Sequence, residues 1–239
     1  MTHDEIINCS NITKTYGDVD ALRGVSISVN RGESVAIAGA NGAGKSTLFN
    51  ILLGLLKPEQ GSSSIAGINS TEITCEIREI IGFIADHASP VPWASPHDLA
   101  KLYSKIYSNW DQARYKEFIT TWKIDEFRRL QQLSKGQKRL AEIALILSIN
   151  PEVLILDEPF DGLDAVMRIK IQKLLRNIQV TRNTTILYAT HILTELPFVA
   201  DRMIVMRLGR IVYDQKISSD NNSPDSIFKE LYQEELCSQ

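Results

Sequence analysis

Gly39-Ala40-Asn41-Gly42-Ala43-Gly44-Lys45-Ser46-Thr47 decides the fold of this 239-residue chain. The stretch fits G-x-x-x-x-G-K-[ST], the pattern of a phosphate-binding loop. Before it, Ser34-Val35-Ala36-Ile37-Ala38 is an apolar run of strand length; after it, Leu48 to Leu56 is apolar and helical in type, ending near Pro58. Strand, glycine loop and helix in that order give the pattern its mechanical meaning. Glycines let the backbone curl until successive N–H groups face inward as an anion nest. The helix start adds the positive end of its dipole. Gly39, Asn41, Gly42, Ala43, Gly44, Lys45, Ser46 and Thr47 are therefore expected to hold nucleotide phosphates, with Lys45 on the β/γ groups and the Ser46 hydroxyl on Mg²⁺.

Working outward, Ile6 to Thr13 and Leu22 to Val29 alternate as half-buried strands, and Asn30-Arg31-Gly32-Glu33 turns into the strand before the loop. Lys57 to Gly61 breaks the first helix, and Ile80 to Ile84 is another short strand. The character changes at Asp86. Ser95-Pro96 with Asp98 reads as a helix start carrying proline in its first turn. Leu99, Leu102, Tyr103 and Ile106 form one stripe, and Phe118, Ile119, Trp122 and Phe127 another. Val153 to Leu156 and Thr185 to Ala189 are continuous apolar runs, the mark of parallel strands buried on both faces. A helix from about Ala165 to Gln179 separates them. Met203 to Met206 adds a further strand, and Ile211 to Tyr213 a closing hairpin. The expectation is one α/β domain. Residues 1–85 and 150–215 form the core, and 86–149 an inserted helical subdomain. Residues 216–239 are a polar linker (Ser218 to Ser223) and a C-terminal helix from Pro224 to Leu236.

Composition limits the alternatives. The net charge of −3 and pI of about 5.9 provide no positive field for nucleic acid or an anionic membrane, so no nucleic-acid partner is expected. Cys9, Cys75 and Cys237 lack metal-ligand spacing and fit a reducing compartment. The N-terminal residues lack a basic, then apolar leader pattern, and no apolar run has the length of a membrane-spanning helix.

Two further stretches carry chemistry. Asp157-Glu158 ends a buried strand, where ligands gather in open α/β sheets. Asp157 is suited to holding Mg²⁺ through its water shell, and Glu158 to orienting or deprotonating a water. Without the loop, the pair would read as two solvated acids before the Pro159 turn. Leu133-Ser134-Lys135-Gly136-Gln137 opens a clear helix. Ser134 and Gln137 have capping-box spacing. The same end, through the Ser134 hydroxyl and the Lys135 and Gly136 amides, would make a second phosphate site.

These stretches, with Asp161-Gly162-Leu163-Asp164 and Thr190-His191, occur in the order and spacing of the ATPase subunits of ABC transporters, which the chain resembles over essentially its whole length. The resemblance implies a P-loop NTPase fold: a three-layer, mainly parallel sheet core with an N-terminal antiparallel β part and an inserted helical subdomain. It implies ATP and Mg²⁺ bound between two head-to-tail protomers, the second being a copy of this chain or a paralogous subunit. ATP hydrolysis would drive transport through a separate integral-membrane permease, with the ATPase cytoplasmic and peripheral on the inner face of the membrane. By the same resemblance, Ser134, Lys135, Gly136 and Gln137 match the signature motif that meets the partner's γ-phosphate. Asp164 matches the dimer-interface aspartate, His191 the switch histidine, and Tyr16 the aromatic that stacks on adenine.

Three positions depart from the usual family pattern. Lys135 stands where glycine is commonest, which preserves backbone donation and adds an ammonium expected near the phosphate. Asp86 replaces the usual Mg²⁺-binding glutamine at the hinge to the helical region. Ala40 replaces a common proline. Asp86 together with Tyr107 to Asp111 resembles a bacterial exporter or drug-resistance branch, so export is expected. The alternative is a non-transport ABC ATPase acting on a macromolecular complex. A nucleotide-binding regulator without catalysis is disfavoured by the intact Lys45, Asp157, Glu158 and His191.

Overall fold

The computed structural model describes residues 5–86, 91–192 and 196–217. The chain divides into two compact units, one built from the residues up to Ile73 and from Gln172 onward, the other from Thr74–Ile171. The expected linker from Ser218 and helix from Pro224 lie outside the described residues.

The first unit opens with β1 (Glu5–Tyr16), β2 (Val19–Asn30), β3 (Ser34–Ala38), α1 (Lys45–Leu52), β4 (Gln60–Ile65) and β5 (Ile68–Asn69). The second holds α2 (Cys75–Glu79), β6 (Ile81–Ile84), α3 (Pro96–Ile106), α4 (Gln112–Thr121), α5 (Lys135–Leu147) and β7 (Val153–Asp157). Then come α6 (Ala165–Arg182), β8 (Thr185–Thr190), α7 (Leu196–Val199), β9 (Arg202–Arg207) and β10 (Arg210–Lys216).

In the first unit, β1 pairs antiparallel with β2 on one side and β4 on the other, and β4 pairs with β5. This is the expected antiparallel part, with Ile7, Cys9, Ile12, Val25, Ile27 and Val29 buried on its inner face. The register shifts between Cys9 and Ile12, where Asn11 takes φ +50° and its N–H donates to Ser26 Oγ at 2.8 Å. Asparagine tolerates that left-handed conformation better than most residues. β3 runs parallel to both β8 and β9, so both its edges are paired and all five of its residues are buried. The expected hairpin is present as β9–β10, with Ile211 opposite Met206.

Helix α1 stops at Leu52, short of the expected Leu56. Gly54 takes φ +69°; its N–H donates to Ile51 O at 3.0 Å, and that of Leu55 to Asn50 O at 2.9 Å. Those two bonds are a Schellman motif, which ends a helix whatever apolar residues follow. Strand β4 is serine-rich and has no readable alternation; its conformation comes from pairing with β1, Ile7 opposite Ile65.

In the second unit β6 and β7 pair in parallel, with Gly82 opposite Leu154. A methyl group at Gly82 would meet Ile146 Cγ2 at 2.6 Å and Leu154 Cδ2 at 2.7 Å, so glycine lets α5 lie close on this strand. Helix α5 buries Leu140, Ala141, Ile143 to Leu147 and the side chain of Arg139. Each fully buried leucine or isoleucine contributes roughly 1.5–3 kcal/mol. Helix α3 starts as expected, with Ser95 and Asp98 in a reciprocal capping box and Pro96 in the first turn. Its stripe is less buried than its spacing suggests: Leu102 and Ile106 are exposed. Phe118 stacks on Trp122 with centroids 4.7 Å apart, whereas Phe127 lies open to solvent.

Candidate nucleotide site

In the first unit the loop joins β3 to α1, and close approach of neighbouring backbone fixes its course. A methyl group at Gly39 would lie 2.6 Å from Met206 O; one at Gly44 would lie 2.5 Å from Ala21 O and 2.9 Å from Leu22 Cδ2. Gly44 takes φ +104° and Gly42 φ +82°, conformations costly for any residue with a Cβ. Gly44 is also the N-cap of α1 and, having no side chain, gives that end no side-chain cap. The amides of Lys45, Ser46 and Thr47 thus have no acceptor within the helix and stand at the positive end of its dipole.

Lys45 is only 6% exposed. Its Nζ donates to Gly39 O at 2.7 Å and to Ala40 O at 3.3 Å, which keeps the ammonium within the loop. Ser46 is exposed at the helix start. His191 immediately follows β8. Because Thr190 is paired with Ala38, the histidine and the first glycine of the loop leave adjacent parallel strands at the same end. Tyr16 ends β1 with half its surface exposed, and Lys14 Nζ lies 5.9 Å from its ring centroid.

In the second unit Asp157 is the last residue of β7 and is buried. Glu158 follows, also buried, at φ +47°. Ser134 Oγ accepts from Gln137 N at 3.2 Å, and Gln137 Oε1 accepts from Ser134 N at 3.2 Å, so the capping box forms. The Ser134 hydroxyl proton is left to donate elsewhere. Lys135 does not extend toward open space as an unpaired ammonium. Its Nζ donates to Asp161 Oδ2 at 2.7 Å, and this bond, more than the Coulomb attraction, holds the Asp161 carboxyl below the usual carboxylate range. Gly136 packs on the Gly162 carbonyl, 2.8 Å from where its Cβ would be. Asp164 Oδ1 accepts from Met167 N at 2.9 Å and caps the start of α6. Asp86, half-buried, follows β6 by two residues.

The structure thus places Tyr16, Gly39 to Thr47 and His191 in one unit. Asp86, Ser134 to Gln137, Asp157, Glu158 and Asp164 lie in the other. Among the described residues no group of three or more His, Cys, Asp or Glu side chains could cage a metal ion. Ser46 in the first unit and Asp157 in the second each carry an oxygen donor of the kind that Mg²⁺ takes, alongside waters and phosphate oxygens. Sequence reading missed Arg139 and Asp161. Arg139 was legible only as a cation on an otherwise apolar helix face, and Asp161 only as a member of a motif.

Residues 22–161 match a family model described as ABC transporter. That segment contains the loop, the signature stretch and Asp157-Glu158; Tyr16, Asp164 and His191 fall outside it. The chain is similar to the aliphatic sulfonates import ATP-binding protein SsuB of Zymomonas mobilis, 32% identical over 213 residues, 88% of this chain and 86% of that protein. It is likewise similar to the sulfate/thiosulfate import ATP-binding protein CysA of Bacillus cereus, 32% identical over 214 residues, 86% of this chain and 60% of that longer protein. Among solved structures, a dimeric ATP-binding cassette in a post-hydrolysis state, bound to ADP and Pi, superposes with a TM-score of 0.80. It is 26% identical, over 89% of this chain and 99% of that one.

Proposed function

Because the chain belongs to the ABC transporter family, whose ATP-binding cassettes bind and hydrolyse ATP, we propose that it is the ATPase subunit of a transporter and that two such subunits share each ATP. The observation that carries this reading is the loop itself: a buried Lys45 ammonium inside a glycine turn, before a helix start that has no side-chain cap. Amides of Gly42 to Thr47 and Lys45 bind the phosphates, and Tyr16 offers its exposed ring to the adenine. Asp157 and Ser46, with Asp86 beside them in role, hold Mg²⁺, which when bound screens charge on the transferred phosphoryl group. Glu158 accepts a proton from the attacking water, and His191 orients that water at the γ-phosphate. Ser134, Lys135, Gly136 and Gln137 of a second protomer supply hydroxyl and amide donors from the opposite side, and Asp164 lies at that protomer interface. Since Lys135 is engaged by Asp161, its contribution is through the backbone rather than the ammonium.

No described helix is long and apolar enough to cross a membrane. In this reading a separate membrane subunit couples ATP hydrolysis to transport. The ATPase is then peripheral, on the cytoplasmic face. The exposed Trp93 (68%) and Phe127 (69%) of the second unit offer that subunit an apolar contact. Export, suggested by Asp86 and Tyr107 to Asp111, finds no support in the two import proteins described above, so the proposal is ATP-driven transport without an export assignment. Glu158→Gln tests the catalytic part. ATP binding should persist while steady hydrolysis falls by about 10²- to 10⁴-fold. Near-normal turnover would reject Glu158 as the base.

A further inference from the structure

We propose that Arg139 is a positioning residue that holds Glu158 and the Asp86 segment to the signature helix, so that the carboxyl ends of β6 and β7 move with Ser134 to Gln137. The inference rests on the reading of Glu158 as the base. Arg139 lies on α5 two residues beyond the signature stretch and is 5% exposed. Its Nη1 donates to Ala85 O at 2.8 Å, and its Nη2 to Asp86 O at 3.0 Å and, over a longer 3.4 Å, to Glu158 O. One planar fork thus joins the ends of two strands to a third element. The Glu158 carbonyl to which it donates belongs to a residue at φ +47°, an uncommon conformation for a residue with a Cβ.

Arg139 also lies 3.4 Å from Glu142 Oε2, one turn along the same helix. If the guanidinium served only to neutralise that carboxylate, its carbonyl bonds would be incidental and lysine would suffice. A lysine keeps the charge but cannot span two strand ends as the rigid fork does. The carbonyls bonded by Arg139 are backbone groups, so it acts on the site through chain position and not by touching nucleotide.

The test compares Arg139→Lys, Glu142→Gln and Glu158→Gln in the full chain, reading kcat, KM for ATP and ATP affinity. Arg139→Lys should lower kcat by about 10- to 100-fold, the scale of a small misplacement of a catalytic group. Its KM and ATP affinity should stay within about threefold, because uniform binding is untouched. Glu142→Gln, which removes the ion pair and leaves the fork's carbonyl bonds, should keep kcat within about twofold. Unchanged kcat in Arg139→Lys beside a dead Glu158→Gln would overturn the inference and leave the reading of Glu158 standing. An active Glu158→Gln would instead remove that reading. Equal losses in Arg139→Lys and Glu142→Gln would assign the arginine to its ion pair and overturn the positioning role. Should Arg139→Lys not fold, Arg139→Gln carries the same expectation, and failure of both to fold would make Arg139 a stability residue and refute the proposal.

Discussion

Replacing Gly44 by alanine should damage the loop far more than the same change at Gly42, although both glycines have positive φ. Gly42 (φ +82°) has nothing within 4 Å of its would-be Cβ. Gly42→Ala therefore carries only the backbone cost of a left-handed alanine, about 1–2 kcal/mol. Gly44 (φ +104°) carries a similar backbone cost, and its methyl would also overlap Ala21 O at 2.5 Å and Leu22 Cδ2 at 2.9 Å. The leucine tip can turn aside. The Ala21 carbonyl belongs to β2, whose backbone is paired with β1, so the overlap has to be relieved by moving the loop. Overpacking of this kind adds about 1–3 kcal/mol. At about 2–4 °C per kcal/mol for a chain of this size, Gly44→Ala should melt some 2–12 °C below Gly42→Ala. Thermal unfolding of the two variants without nucleotide measures the difference directly. Melting temperatures within about 1 °C of each other would refute the argument that close backbone approach, and not φ alone, requires glycine at position 44.

Asp161→Asn removes the partner of Lys135. That pair is largely open to solvent, so the loss at neutral pH should be at most about 0.5 kcal/mol. The folded carboxyl lies below its ordinary value of 3.8, so its contribution is present above that pH and fades as the pH falls through the lower folded value. Urea unfolding of wild type and Asp161→Asn should accordingly differ above about pH 4 and converge in stronger acid; a difference that grows on acidification would contradict the pairing. Trp93→Asp with Phe127→Asp should leave ATP turnover of the isolated subunit unchanged and abolish co-purification of a membrane subunit in mild detergent. Undiminished co-purification would move the docking surface elsewhere.

The elements legible in the sequence were those whose local pattern and tertiary surroundings agree. Val35 to Ala38 is apolar throughout because this strand is buried on both faces, and Ser95-Pro96 with Asp98 caps α3 by purely local bonds. Strand β4 was hidden because its serines take strand form only through β1. The end of α1 was misread because a Schellman turn at Gly54 overrides the apolar residues that follow. At the candidate site, the loop and the strand-end carboxylates were legible from spacing. The engagement of Lys135 by Asp161 and the fork of Arg139 were not, because each joins residues distant in sequence with no shared motif.

Mixing two inactive variants tests most directly the claim that each ATP is held by the loop of one protomer and the signature stretch of another. Lys45→Ala removes the loop's cation and Ser134→Arg blocks the signature helix start, so each variant alone should show almost no ATP hydrolysis. In an equimolar mixture, half the dimers would be mixed, each with one intact site of two, giving about a quarter of wild-type turnover. Full turnover by Ser134→Arg alone, or a mixture no more active than its components, would contradict the account.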